Sequence, residues 1–262
     1  MKPRVIIYDL EVSPMRGYFY PPYYQTNILT ADRYQTLMSA SWCEFEEDRV
    51  KIRHVKLDDF PARFKLDRWD DTDTTEALYR VLKEADILIA HNGLSFDNRM
   101  ANTFFIKHGL DALPEYKTID TLKAARRHFK FASNKLDEIC KELGIEGKTD
   151  IRVGALWQDY MLGTPKDAKK AGRLLKAYNN QDVMALRDVY VKLRPFIKSH
   201  PNLSVYTDGR GCPTCLGKNV VYNGKHYTNA MNYRRAYCKD CKSPFRERIA
   251  EKEEQNKPDY VK

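Results

Sequence analysis

Short apolar runs set between polar turns, followed by one long stretch of helical period, describe an α/β chain. Val5, Ile6, Ile7 and Tyr8 form a β-branched and aromatic run that reads as a buried strand. Residues 36–45 and 49–57 read as two further strands, joined by the acidic Glu46-Glu47-Asp48 turn. Residues 74–84 carry a helical pattern, and the apolar run Ile87, Leu88, Ile89 and Ala90 follows it. From Lys166 to about Leu193 helix formers dominate. There Leu174, Leu175, Tyr178, Val183, Leu186 and Val189 keep a roughly helical spacing. This order predicts a first strand with two antiparallel partners, then parallel strands with crossover helices. Pro195 and the SHPNLS stretch mark a linker.

Acids interrupt the apolar pattern at three places. Side chains alternate along a strand, so Asp9 and Glu11 point one way while Leu10 points into the core. Two carboxylates about 7 Å apart along a strand can share a hard cation; the plainer meaning is a strand running out into solvent. After the second apolar run the sequence HNG breaks the strand, and Ser95 is placed to N-cap a helix reaching about His108. Asp97 then falls in that helix's first turn, where the helix dipole alone would favour an acid. Phe96 reads as core, and Asn92 as a turn residue. Tyr178 and Asp182 are four apart on the long helix, so they stack on one face. An acid within an apolar stripe must be paired, metal-bound or at the stripe's edge.

Taken together, D-x-E at Asp9 and Glu11, N-x-x-x-F-D at Asn92, Phe96 and Asp97, and Y-x-x-x-D at Tyr178 and Asp182 resemble the DEDD 3′–5′ exonucleases, in their tyrosine subclass. The resemblance covers roughly residues 1–196. The wording YDLEVSP, TIDTLKAARRHFKF, SNKLDEI and YNNQDV is similar to exonucleases of tailed phages and prophages. It implies a ribonuclease-H-like mixed sheet flanked by helices, with all three motifs gathered at one edge. It also implies a catalytic set of Asp9, Glu11, Asp97, Tyr178 and Asp182. In that family Asp9 bridges two Mg²⁺ or Mn²⁺ ions, Glu11 and Asp182 complete the nucleophile-side ion, and Asp97 supports the second. Tyr178 orients the attacking water; a phenol of pKa near 10 is a poor bulk base. Oxygen donors suit hard ions rather than zinc. Residues 13–40, with the YFYPPYY tract, are longer than a minimal member needs and read as a lid, a substrate contact or a packed loop.

Asp120 in TIDTL reads as an N-cap between a short strand and a basic helix. Residues 117–135 hold six Lys or Arg against one acid, with Phe129 and Phe131 interleaved. Such a run is a solvated face or a set of phosphate contacts. Asn92, Arg126, Arg127, Asn134 and Lys135 are the candidates there for nucleic acid.

The cysteines form a separate pattern. Cys212-Pro-Thr-Cys215 and Cys238-Lys-Asp-Cys241 stand 22 residues apart, a spacing that lets two knuckles close a tetrahedral zinc site. Cys43 and Cys140 read as buried free thiols. CPTC, Asn223-Gly224, YRRAYCKDC and Phe245 resemble the zinc ribbons at the ends of phage exonucleases and some transposases. Residues 207–248 hold nine Lys or Arg and three acids, net +6 of the chain's +9. A ribbon so charged reads as a nucleic-acid grip, with Arg210, Lys225, Arg234, Arg235 and Arg246 as phosphate contacts, or else as a solubilising cap.

These patterns divide the 262 residues into a nuclease domain (1–196), a linker (197–206), a zinc ribbon (207–248) and a charged, disordered tail (249–262). An apolar fraction of 42% allows one sizeable core plus a metal-dependent module. The first apolar run is too short for a signal peptide, and no stretch approaches a membrane span. The expectation is a cytoplasmic protein, in a bacterial host if phage-encoded, with no membrane and no organic cofactor. Its partner is DNA, RNA remaining open because such a metal site does not read the 2′-hydroxyl by itself.

Overall fold

The computed structural model describes residues 2–18, 20, 29–147, 153–207, 209, 211–229 and 231–249. Most of the YFYPPYY tract, Arg210 and the charged tail lie outside the described residues. The chain divides into two compact units, Arg4–Val189 and Tyr190–Lys262 with Met1–Pro3.

The larger unit is built on a five-stranded mixed sheet. Its strands are β1 (Val5–Val12), β4 (Leu37–Glu44), β5 (Arg53–Lys56), β6 (Ile87–Ala90) and β7 (Lys117–Asp120), in the order β5-β4-β1-β6-β7. β4 and β5 run antiparallel, and β1 pairs antiparallel with β4. β6 is parallel to both β1 and β7. β1 therefore has one antiparallel partner where two were expected, because β5 adds to the outer side of β4, while the parallel strands follow as expected. A small antiparallel ribbon, β2 (Arg16–Tyr18) and β3 (Thr30–Arg33), follows β1. The extra stretch ends earlier than residue 40, because Leu37–Glu44 already belongs to the sheet.

Helices cover both faces. α2 (Thr72–Leu82) and α3 (Asp97–Lys107) press Leu78, Leu82, Ala101, Phe104 and Phe105 against Ile6, Tyr8 and Leu10. On the opposite face α6 (Val153–Leu162) and the 29-residue α7 (Pro165–Leu193) bring Leu156, Tyr160, Met161 and Leu175 onto Met38 and Leu57. Shorter helices α1 (Pro61–Leu66), α4 (Thr121–His128) and α5 (Leu136–Leu143) complete the unit. Each Leu-sized side chain buried this way contributes about 1.5–3 kcal/mol, so the scaffold is held by packing.

Four expectations need correction. Leu174 is 42% exposed while Leu175 is buried. The buried stripe of α7 runs through Ala171, Leu175, Tyr178, Asp182 and Leu186, and position 174 lies about 100° round the helix from it. Ser95 does not cap α3; Phe96 precedes the helix without a side-chain cap, and Asp97 is its first residue. The Ser95 and Phe96 N–H groups instead donate to the Asn92 carbonyl in a tight turn. That turn leaves Phe96 39% exposed rather than in the core. Finally, the strand expected over 49–57 shrinks to Arg53–Lys56, because Leu57 opens a 3₁₀ turn in which Asp59 accepts from the Lys56 N–H.

The smaller unit carries a three-stranded antiparallel sheet in the order β10-β9-β8. Its strands are β8 (Val220–Tyr227), β9 (Asn232–Cys238) and β10 (Pro244–Arg248). No helix among the described residues is long and apolar enough to cross a membrane.

Candidate active site

Asp9 and Glu11 lie toward the carboxyl end of β1, and Asp97 opens the helix that follows β6. β1 is paired on both sides, which fixes the aim of its side chains. Asp9 lies opposite Ser41 and Glu11 opposite Ser39 on β4, and the register shifts just after Glu11. Directly paired residues share a face, so a polar strip of Asp9, Glu11, Ser39 and Ser41 faces α7. Asp182, nearly inaccessible, meets it there. Carboxylate oxygens of Asp9, Glu11 and Asp182 all lie within 4.8 Å of one another. At an effective dielectric near 20, two unit charges at that separation repel by about 3–4 kcal/mol. A cluster of three therefore calls for a counter-charge, and its all-oxygen donor set fits Mg²⁺ or Mn²⁺.

Two asparagines beside Tyr178 tie α7 to this strip. The Asn179 Nδ2 donates to Asp9 Oδ2 at 2.7 Å and to the Asp9 carbonyl at 3.3 Å. Its Oδ1 accepts from the Ser39 hydroxyl at 3.1 Å, and the residue is fully buried. The amide therefore fixes one Asp9 oxygen and sets the carboxylate's plane. Asn180 repeats the device one residue on, where its Oδ1 accepts from Ser41 Oγ at 2.8 Å. With that hydroxyl proton used, the 2.7 Å contact between Ser41 Oγ and His54 Nδ1 is a donation from the histidine. Burial, above all, lowers the His54 pKa to about 4. Sequence reasoning passed over Asn179, Asn180, Ser39, Ser41 and His54. The available signal was two successive asparagines, poor helix formers, in the middle of a long helix.

Asp97 stands apart from the three clustered acids. It is buried, and its Oδ1 accepts from the Leu10 N–H at 3.3 Å, between Asp9 and Glu11 in sequence. Desolvation pushes its pKa up to about 7; hydrogen bonds from its own backbone and from Leu10 oppose the rise, and the charge of Asp120 adds to it. Beneath it the Tyr8 hydroxyl donates to Asn98 Oδ1 at 2.7 Å, and Asn98 Nδ2 donates to Thr118 Oγ1. Asn98 was also missed; nothing in its sequence surroundings marks it.

Asp120 caps α4 as expected, accepting from the Lys123 N–H. It also accepts from the Asn92 N–H at 3.1 Å and the Leu94 N–H at 3.2 Å, and so clamps the loop before α3. Asn92 sits there at φ 68°, a left-handed conformation that asparagine tolerates. The next residue must be small, since a Cβ on Gly93 would lie 2.6 Å from the Ala90 Cβ.

A cleft of about 710 Å³ opens over the acids. Asp9 and Asp182 line it together with Asn92, Arg126, Asn134 and Lys135. His91 crosses its wall, its Nε2 donating to the Asn134 carbonyl at 3.0 Å. Arg127 is exposed and is not part of the lining. Phe129 and Phe131 stack on each other with ring centroids 5.2 Å apart.

In the smaller unit the four cysteine sulfurs lie within 4.8 Å of one another. Cys212 Sγ to Cys241 Sγ is 3.6 Å, and Cys215 Sγ to Cys238 Sγ is 3.7 Å. A regular tetrahedron with metal–sulfur bonds of about 2.3 Å has edges of about 3.8 Å. The thiols are therefore spaced for a shared ion and are too far apart for disulfides. The Thr214 N–H points at Cys212 Sγ and the Gly217 N–H at Cys215 Sγ. Leu216 and Lys242 take positive φ to turn the two knuckles. The donor set is compatible with a zinc ribbon. Cys43 and Cys140 are buried and form no disulfide.

Arg234 and Arg235 lie on β9 of that unit. Tyr178 is buried one turn before Asp182 on α7.

Comparison with known proteins agrees with this geometry. The chain is 37% identical over 76 residues to a DNA polymerase III PolC-type of Ureaplasma parvum, covering 28% of this chain and 5% of that protein. It is 28% identical over 175 residues to the DNA polymerase III subunit epsilon of Buchnera aphidicola, covering 61% of this chain and 71% of that subunit. A family B DNA polymerase from Pyrobaculum calidifontis superposes with a TM-score of 0.53 at 15% identity, over 74% of this chain and 25% of that one. That last likeness concerns the fold alone. The RNase_H superfamily pattern matches residues 56–194, a span that starts after Asp9 and Glu11 but holds Asp97, Tyr178 and Asp182. With just over half of the sequence matched, and the mixed sheet and acid cluster in place, the chain belongs to the RNase_H superfamily.

Proposed function

We propose that this protein is a two-metal-ion 3′–5′ exonuclease of the tyrosine subclass that hydrolyses DNA at single-stranded or frayed 3′ ends. The observation that carries the reading is the meeting of Asp9, Glu11 and Asp182 within 4.8 Å beneath a cleft lined by Arg126, Asn134 and Lys135. The RNase H-like domain and the likeness to a DNA polymerase III epsilon subunit support a nuclease. A pair of divalent cations supplies a hydroxide-like nucleophile at neutral pH and offsets charge on the attacking and leaving oxygens.

The chain's own residues do the rest. Asp9, Glu11 and Asp182 hold the ions, and Asn179 keeps Asp9 in one orientation. Asp97, beside Leu10, would support the second ion directly or through water. The Tyr178 hydroxyl orients the attacking water. Arg126 and Lys135 bind phosphates of the strand, and Asn92 and Asn134 offer it polar contacts. Arg127 adds positive charge outside the cleft. The four cysteines hold one structural zinc, and the positively charged sheet they anchor gives a second hold on DNA.

The test is digestion of oligonucleotides labelled at either end, as DNA and as RNA, with Mg²⁺ or Mn²⁺. The reading predicts a ladder of 5′-labelled DNA shortened stepwise from the 3′ end, absent for Asp182→Asn. Internal cuts, faster cutting of RNA, or an Asp182→Asn variant that cuts at the parent's rate would each contradict it.

A further inference from the structure

The two faces of the three-stranded sheet in the smaller unit differ in chemistry. Strand pairing assigns each residue to a face, because directly opposed residues project the same way. Arg235 is opposite Arg246, Tyr233 is opposite both Arg248 and His226, and Tyr237 is opposite Pro244 and Val221. The other face holds Ala236 opposite Phe245 and Tyr222, and Arg234 opposite Glu247 and Lys225. Cys238 shares that second face, and Phe245 packs against the cysteine cluster. The second face therefore builds the metal knuckles, and its charge is mixed.

The first face carries Arg235, Arg246, Arg248 and His226, all exposed, and no acid among the described residues. Arg235 and Arg246 are direct cross-strand neighbours, an arrangement that costs a sheet about 0.2–1 kcal/mol. Nothing in the sheet offsets it by an acid on the same face. Arg246 instead lies over the Tyr233 ring, 4.9 Å from its centroid. Tyr233, Arg235 and Tyr237 alternate along one strand about 7 Å apart. Flat rings alternating with guanidinium groups are suited to unpaired bases beside their phosphates.

We infer that this acid-free face binds the backbone and bases of single-stranded DNA, through Arg235, Arg246 and Arg248 with Tyr233 and Tyr237. The inference deepens the proposed nuclease reading and rests on it for the choice of DNA. It also revises the sequence expectation for this unit, because Arg234 and Lys225 fall on the opposite face and take no part.

The experiment compares two double variants of the full-length chain, Arg235→Ala with Arg246→Ala, and Lys225→Ala with Arg234→Ala. Each removes two positive charges, so a general charge effect moves both alike. Binding to fluorescein-labelled single-stranded DNA is read by anisotropy across salt, with Ca²⁺ replacing Mg²⁺. Zinc content checks that both variants stay folded. The first pair should lose at least about tenfold in affinity and flatten the salt slope by about 1.4, as for two phosphate contacts. The second pair should stay within about twofold. Equal losses in both pairs, or no loss in the first, would overturn the inference. An equal loss on duplex DNA or on RNA would overturn the single-stranded DNA assignment. Hydrolysis of the p-nitrophenyl ester of thymidine 5′-phosphate by the unsubstituted chain tests the nuclease reading separately.

Discussion

The carboxylate cluster and the cysteine cluster solve one problem, gathering like-charged ligands, from opposite directions. Asp9 and Glu11 come from a strand some 170 residues before the helix that carries Asn179 and Asp182. They are held by a scaffold that packs without them: β1 paired on both sides, and α7 buried through Leu175, Val183, Leu186 and Val189. The cysteines come from two tight turns on a small sheet whose buried core among the described residues is little more than the thiols themselves and Phe245. In the first region the fold makes the site. In the second, on the proposed zinc reading, an ion would make the fold.

Removing the ions should therefore have opposite consequences, and this is the largest effect expected. Stripping zinc with a thiol reagent removes stabilisation on the order of 10 kcal/mol from the cysteine unit, so residues 207–248 should become protease-sensitive. Omitting Mg²⁺ should leave Arg4–Val189 folded and protease-resistant. Limited proteolysis with mass mapping reads both, and loss of the larger unit without Mg²⁺ would break the contrast.

Within the larger unit, Asp182→Asn or Asp9→Asn should slow cleavage about 10³-fold, equal to ~4 kcal/mol of barrier, with little change in melting temperature. Single-turnover rates with calorimetry check this. Asn179→Ala comes next. Freeing Asp9 from its amide partner should weaken Mn²⁺ binding about 10–100-fold while DNA affinity in Ca²⁺ stays the same. Titration of Mn²⁺ by its electron paramagnetic resonance signal separates that from misfolding.

The last expected effect is a dependence on pH. The buried Asp97 carboxyl keeps its proton up to about 7, against 3.8 for its ordinary value. Between those pH values the folded chain binds more proton than the unfolded one, so this group's contribution to stability falls as pH rises. Asp97→Asn should remove that fall in the Mg²⁺-free protein, and melting curves from pH 4 to 7.5 would show it. A variant with the same pH profile as the parent would remove Asp97 from the account.

Much of this arrangement was readable in the sequence because it depends on local periods. Alternation put Asp9 and Glu11 on one face, and a spacing of four put Tyr178 and Asp182 on one side of a helix. Cysteine spacing needed no knowledge of the fold at all. The polar supports were not readable. Ser39 and Asn179 are 140 positions apart, and no local pattern links a strand serine to a helix asparagine. Leu174 was misjudged because a long apolar helix offers adjacent leucines and only packing selects one. Phe96 was misplaced because the turn at Asn92 and Gly93, set by Asp120 from another strand, decides where it points.

The most direct test of the central claim is the number of divalent ions that the carboxylate cluster holds. Mn²⁺ titration of the zinc-loaded protein, free of nucleic acid and then with a non-hydrolysable DNA 3′ end, should reach two ions per chain with DNA and fewer in Asp9→Asn. Saturation at one ion or none with DNA, or the same stoichiometry and affinity in Asp9→Asn, would contradict it.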